Sequence, residues 1–173
     1  MTSMHRLERS QLISRPVAEV FAFFADAANL EAITPEFLRF RIMTPLPVEM
    51  RAGARIDYSL SLFGVPVRWR TKITDYEPPV GFVDEQERGP YLLWRHRHDF
   101  EAVGEATRMR DCVDYRLPFG PLGGLAHVLW VRRMLAGIFD HRQRVIAQRF
   151  GEIPGERADG QWPAEAVTLS QRR

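Results

Sequence analysis

Tyr91-Leu92-Leu93-Trp94-Arg95-His96-Arg97-His98-Asp99-Phe100 is the stretch whose reading decides the fold. Read at period two, Leu92, Trp94, His96, His98 and Phe100 share one face, and Tyr91, Leu93, Arg95, Arg97 and Asp99 share the other. A strand sends alternate side chains to opposite faces, so the spacing predicts a half-buried strand with an aromatic, histidine-bearing inner face. The arginines belong in water. The two inner histidines need partners, because an unpaired buried polar group costs roughly a few kcal/mol.

Working outward, further strands are predicted over residues 55–62, 67–76, 82–87 and 107–117. Their separators are Phe63-Gly64-Val65-Pro66, Glu77-Pro78-Pro79-Val80-Gly81, Arg88-Gly89-Pro90 and Val103-Gly104. Such short, turn-rich separators imply an antiparallel meander. Upstream, residues 5–13 read as a first strand. Ser14-Arg15-Pro16 then opens a helix, with proline at the first helical position and Ser14 able to cap it. Val17, Val20, Phe21 and Phe24 give that helix one apolar face. A second short helix is expected over 27–33, halted before Thr34-Pro35, and a strand over 37–43.

Downstream, Pro118-Phe119-Gly120-Pro121-Leu122-Gly123-Gly124 breaks the sheet, and a long helix is expected over 125–150. His127, Trp130, Val131, Met134, Ile138, His141 and Val145 fall within one arc, which is expected to face the sheet; Arg133 and Arg144 lie opposite. Gly151 is a glycine stop. Residues 152–173 show turn dipeptides without periodicity, so the reading is one domain over 1–151 and a flexible tail, mobile or loosely docked, over 152–173.

Hairpin registers follow from matching apolar residues across each turn. A turn at Gly64-Val65 sets Leu60 opposite Trp69, Tyr58 opposite Thr71 and Ile56 opposite Ile73. A turn at Val103-Gly104 sets Phe100 opposite Thr107, His98 opposite Met109, His96 opposite Asp111 and Trp94 opposite Val113. A loop at Arg88-Gly89-Pro90 sets Asp84 opposite Trp94 and turns it inward; a shorter loop would turn it outward beside Arg95. The inner face then holds Tyr58, Trp69, Thr71, Trp94 and Met109 with a polar set of Asp84, Gln86, His96, His98, Asp111 and Tyr115. A sheet that only packs on a helix does not need so many inward polar groups, which argues for a cavity.

Composition narrows the function. The 173 residues are 45% hydrophobic, enough for one domain with a sizeable core. Twenty-four basic residues against 22 acidic ones, interleaved, lack the basic stripe of a nucleic-acid binder. The one cysteine, Cys112, excludes an internal disulfide framework and suits a reducing compartment. No apolar run approaches the roughly 20 residues that span a bilayer, and no signal peptide is visible, so a cytoplasmic location is expected.

The order of strand, short helices, meander and long helix resembles the helix-grip α+β fold of the SRPBCC superfamily. That superfamily includes START lipid-transfer domains, the birch-pollen allergen and polyketide cyclases. The words that carry the likeness are Pro16…Val20-Phe21-Ala22-Phe23-Phe24, Asp84-Glu85-Gln86…Gly89-Pro90, Trp94–Phe100 and Pro118–Gly123. The resemblance spans residues 5–150 and implies a hydrophobic cavity between sheet and long helix. Related domains also occur fused to a sugar-nucleotide-epimerase-like domain, so such a protein, or a second copy, is a candidate partner. Fold alone does not choose between carriers and enzymes.

Three chemistries compete for the polar set. His96 and His98, about 6.7 Å apart at Cα, form half of a zinc site, with Asp84 or Asp111 as third ligand. His127 and His141 cannot both join, since about 21 Å of helix separates them. Without a cysteine cluster or a tight third ligand, no metal or cofactor is assigned. His96 with Asp111 is the base half of an acid–base pair, as a cyclase or dehydratase would use, with Tyr115 or Asp84 as acid. No nucleophile accompanies it. The favoured reading is a carrier or sensor whose polar groups orient a small, mostly hydrophobic ligand. Its candidate lining is the inner face just named together with His127, Met134, Ile138 and His141. Apolar groups near the turns and the helix start (Phe63, Val65, Tyr91, Phe119, Leu125, Leu129) are expected at a pocket mouth, a dimer contact or a membrane-touching rim.

Overall fold

Alternation of buried and half-buried residues along Ala106–Arg116 shows how the sheet is built. Thr107, Met109, Asp111, Val113 and Tyr115 are buried, while Arg108, Arg110, Cys112 and Asp114 face outward. The computed structural model describes residues 3–118 and 130–153. Within these residues, seven strands form one antiparallel sheet: β1 His5–Ile13, β2 Arg41–Ile42, β3 Arg55–Leu62, β4 Val65–Glu77, β5 Gly81–Arg88, β6 Leu93–Val103 and β7 Ala106–Arg116. Their order is β1-β7-β6-β5-β4-β3-β2, a meander whose last strand pairs with the first. Helix α1, Val17–Phe24, and the long helix α2, Arg132–Phe150, pack against the sheet.

From Leu93 onward the expected faces hold; β6 begins there, so Leu92 is exposed and Tyr91 buried, the reverse of the reading. The three registers read from the sequence, at β3–β4, β5–β6 and β6–β7, each move by two residues. Tyr58 pairs with Trp69 and Ile56 with Thr71, because the β3–β4 turn is Phe63-Gly64. Both residues have positive φ, 52° and 82°, the type I′ geometry that matches strand twist. The β6–β7 turn is Gly104-Glu105, with only Gly104 at positive φ, so His98 pairs with Asp111 and His96 with Val113. On the other side of β6, Asp84 pairs with His96 and Phe82 with His98. A shift of two conserves which face each side chain occupies.

Other elements differ from expectation. Pro16 is the N-cap of α1, and Ser14 does not cap it; the Ser14 backbone instead donates to Gly151 O at 3.2 Å. The expected helix over 27–33 shrinks to a 3-10 turn at Ala27–Leu30, and the strand over 37–43 to Arg41–Ile42. A second 3-10 turn, Glu36–Leu38, ends on Arg39 at φ 45° and redirects the chain before β2 can begin. Glu152 bridges to Ile13, and Ile153 donates to Leu12, so the start of the expected tail is docked; residues 154–173 lie outside the described residues.

Helix α2 is rotated relative to its predicted phase. Leu135, Phe139, Ile146 and Phe150 are its buried spine, and Met134, Ile138 and Val145 sit on the edge of that face. The offset is about one residue, or roughly 100°. The predicted arc includes Trp130, which is exposed, and residues 130–131 are π-helical, a turn that displaces phase by a residue. Arg133 and Arg144 are exposed as expected.

The core divides in two. Around α1 lie Phe21, Phe24, Ile73, Phe82, Phe100, Met109 and Ile146. Under the start of α2 lie Leu7, Trp69, Tyr91, Val113, Tyr115, Leu135 and Phe139. Along β7 the sequence Met109, Asp111, Val113 passes from the first cluster through a carboxylate into the second. The polar set is therefore interposed between two apolar bodies. Among the described residues, no helix is long and apolar enough to cross a membrane.

Candidate functional site: a buried histidine–aspartate cluster on a cavity wall

A cavity of about 180 Å³ lies between the sheet, α1, the 3-10 turns and α2. Nine of the predicted lining residues reach it: Tyr58, Trp69, Thr71, Asp84, Trp94, His96, His98, Met134 and Ile138. Five do not. Gln86 is spent on the β5–β6 loop, donating to Tyr91 O at 2.7 Å and accepting from Tyr91 N at 3.3 Å. Met109 and Tyr115 are core, one in each cluster. Asp111 lies behind the histidines rather than on the wall, and His141 gives way to its neighbour Arg142. His127, with Phe119, Leu125 and Leu129, lies outside the described residues. Phe63 and Val65 are exposed at the β3–β4 turn, whereas Tyr91 is buried.

The wall residues missed by the sequence reading come from the sheet itself (Ile56, Leu60, Ile73, Phe82) and from α1, the 3-10 turns and the corrected face of α2. They include Phe24, Leu38, Leu135, Phe139 and Arg142. Arg142 is the consequential one. Its guanidinium sits 4.9 Å from the Phe24 ring centroid and 3.6 Å from Asp111 Oδ1, and its Nε is buried without a hydrogen bond. The sequence does carry a clue: Leu135, Phe139, Arg142 and Ile146 lie three or four residues apart, an apolar spine with one cation in it.

The register change rearranges the histidine contacts without breaking the set. His98 stands directly opposite Asp111, with Nδ1 3.0 Å from Asp111 Oδ1, and reaches diagonally to Asp84 Oδ2 through Nε2 at 2.9 Å. His96 stands opposite Asp84, with Nδ1 3.5 Å from Oδ2, and reaches diagonally to Asp111 Oδ1 through Nε2 at 2.9 Å. The rings lie 3.8 Å apart at their centroids, with Phe82 stacked on His98 and Phe139 edge-on to His96. The expected His96–Asp111 bond is therefore present, as one side of a four-membered arrangement.

Electrostatics assigns the protons. Burial pulls His98 toward the neutral form, but hydrogen bonds to Asp111 and Asp84 outweigh it and its pKa lies above the ordinary value. Both of its nitrogens then donate, one to each carboxylate. For His96, burial and the neighbouring His98 charge win, and its pKa is lowered. A neutral His96 donates Nε2–H to Asp111, which can only accept. Burial opposes ionisation of both aspartates; Arg142 and the histidines reverse this, holding Asp111 well below the usual carboxylate range and Asp84 below it. In the protonated form that its partners favour, His98 joins Arg142 in setting two positive charges against the carboxylates of Asp84 and Asp111. In that form the buried cluster is neutral as a whole, the condition under which charges survive in an apolar interior.

A meander closed on its first strand, holding a long C-terminal helix over a cavity, defines a helix-grip domain of the START and birch-pollen-allergen type. Residues 4–150 match the family described as polyketide cyclase / dehydrase and lipid transport, and the chain belongs to that family. Among solved structures, the protein TTHA0849 from Thermus thermophilus has a TM-score of 0.66 at 20% identity, over 85% of this chain and 96% of that one. The Zhui aromatase/cyclase from Streptomyces sp. R1128 has a TM-score of 0.61 at 13% identity, over 85% of this chain and 96% of that one. A nucleoside-diphosphate sugar epimerase from Corynebacterium glutamicum has a TM-score of 0.59 at 23% identity, over 82% of this chain but 28% of that longer one. These likenesses establish the fold. No curated protein matches the chain. The family joins cyclase-type activity and the transport of hydrophobic ligands.

Proposed function

We propose that this protein is a cytoplasmic carrier or sensor for a small, mostly hydrophobic molecule with one polar group, of lipid, polyketide or aromatic type. The observation that carries this reading is an apolar cavity with a neutral but strongly polar cluster on one wall. Apolar walls supply affinity, and a few polar groups fix orientation. The volume of about 180 Å³ is close to the ~150 Å³ of a cavity that holds benzene and below the ~300–1,000 Å³ of pockets for drug-sized ligands. It suits a ligand whose buried part is a single ring or a short chain. An apolar fluorophore should bind with one-to-one stoichiometry. Trp94→Ala should weaken that binding, and Met134→Trp should block it by filling the space, at a stability cost of only about 1–3 kcal/mol. Saturable binding that ignores both substitutions would remove the cavity from the reading.

A second reading, a cyclase or dehydratase, draws support from His96. This side chain lines the cavity with a lowered pKa, and Asp111 fixes its tautomer. In that role His96 would take the proton next to a carbonyl of an enolisable ligand. His96→Gln would then leave fluorophore binding intact and abolish solvent deuterium uptake into such a ligand; equal uptake by both forms would exclude it. Transfer to a second copy or to a sugar-nucleotide-epimerase-like protein belongs to the same proposal. Sedimentation equilibrium of the purified protein tests the first of these.

A further inference from the structure

The corner formed by Asp84, His96 and His98 has a chemistry that ligand orientation does not require. One donor atom from each lies within 4.8 Å of the other two. Asp84 Oδ2 is 2.9 Å from His98 Nε2 and 3.5 Å from His96 Nδ1. Donors bound to one ion at about 2.0–2.1 Å stand roughly 2.9–3.4 Å from one another, whether the geometry is octahedral or tetrahedral. The other nitrogen of each imidazole, His96 Nε2 and His98 Nδ1, points instead at a single oxygen, Asp111 Oδ1, at 2.9 and 3.0 Å. An outer carboxylate taking the far N–H of a ligating histidine is the device that fixes tautomer and ring orientation in metal sites. Here one carboxylate does this for two histidines at once.

We infer that Asp84, His96 and His98 bind a divalent transition-metal ion, with Asp111 orienting both imidazoles and the cavity supplying the remaining coordination positions. Two imidazoles and one carboxylate suit zinc, iron(II) or cobalt(II); calcium and magnesium want more oxygen than this set offers. All three ligands come from adjacent strands β5 and β6, whose pairing sets their spacing. All three also line the cavity, so an ion held there would be open to a ligand rather than sealed in. Arg142 approaches the other edge of the histidine pair. Its guanidinium is 3.6 Å from Asp111 Oδ1 and 3.3 Å from His98 Nδ1, the nitrogen turned away from Asp84. With both imidazoles neutral, as ligation requires, a divalent ion and Arg142 against the carboxylates of Asp84 and Asp111 leave one net positive charge, suited to an anionic or enolate-forming oxygen on the ligand. A metal at this corner does not require the carrier reading.

Cobalt(II) serves as the probe, added to chelator-treated, untagged protein. One equivalent should give visible ligand-field bands that zinc(II) abolishes. Asp84→Asn and His98→Gln should lose the bands, and Asp111→Asn should weaken cobalt binding about 10–100-fold. His141→Gln, which changes a histidine away from the cavity, should bind as the parent does. Should the cluster variants fail to fold, imidazole nitrogen NMR of the parent protein decides the matter. Zinc should shift His96 Nδ1 and His98 Nε2 and leave the opposite nitrogens as N–H. A cobalt spectrum unchanged from buffer, bands that persist without His98, or zinc shifts confined to other histidines would each overturn the site. Fluorophore binding by the same chelator-treated protein reports on the carrier reading separately, so dye binding without cobalt binding sinks this inference alone.

Discussion

The two faces of the sheet are charged with the same residue types and use them in opposite ways. On the outer face, Arg6 meets Asp114 at 2.7 Å, Arg55 meets Glu87 at 2.8 Å and Arg70 meets Asp57 at 2.7 Å. These pairs stand in water, where Coulomb energy is weak and ordering two side chains offsets much of it. On the inner face, Asp84, Asp111, His96 and His98, joined by Arg142 from α2, stand between two apolar clusters. There each charge has lost its hydration, and the set is tolerable only while it remains neutral and hydrogen-bonded. Contact distance does not separate the faces. Solvent does.

The largest expected effect comes from unbalancing the inner set. Asp111→Ala leaves Arg142 and His98 buried against a single carboxylate, and should cost about 3–5 kcal/mol in urea denaturation. Replacing the pair together, Asp111→Leu with Arg142→Met, leaves Asp84 facing His98 and should recover most of that loss. A double variant no more stable than Asp111→Ala would show that packing rather than charge balance sets the cost.

A smaller effect tests which face of α2 is inside. Leu135→Ala should cost about 2–5 kcal/mol, as for a buried leucine that leaves a cavity. Arg133→Ala, on the exposed side, should fall within about 0.5 kcal/mol of the parent. A cost for Leu135→Ala no larger than that for Arg133→Ala would mean that Leu135 is not part of the buried spine.

That phase shows where sequence reasoning stops. Period two settles the face of every sheet residue in the site, because burial and parity reinforce each other along β6 and β7. Register is a weaker signal. Two-residue slips keep every apolar residue inside, so the choice falls to turn geometry. At β3–β4 the turn places Phe63, a residue ill suited to φ 52°, where glycine or asparagine would have announced it. The His96–Asp111 contact survives the slip because a diagonal neighbour on the same face is still within reach. His98–Asp111 and His96–Asp84 escape notice as facing pairs for the same reason. In α2, by contrast, one residue of displacement turns the face by about 100°, so the helical pattern selects His141 where Arg142 stands. Arginine reads as surface in any helical projection; only the tertiary placement of two carboxylates beside the histidines explains it.

The smallest expected effect closes the comparison from the outer side. Asp57 and Arg70 are facing residues of β3 and β4, joined by two hydrogen bonds of 2.7 and 2.9 Å. By geometry alone this is a better pair than Arg142 with Asp111 at 3.6 Å. If distance governed stability, Asp57→Asn would be the more damaging change. Water reverses that ranking, since either outer charge is rehydrated once its neighbour is gone, and the guanidinium keeps its solvent. Asp57→Asn should therefore leave the urea midpoint unchanged within measurement error. Salt sharpens the test, because the screening length falls from about 10 Å at 0.1 M to about 3 Å at 1 M. Any residual difference for Asp57→Asn should vanish in about 1 M sodium chloride, while the deficit of Asp111→Ala persists, its charges lying beyond the reach of added ions. Equal losses for the two substitutions, or equal sensitivity to salt, would mean that the inner cluster is far wetter than its burial implies.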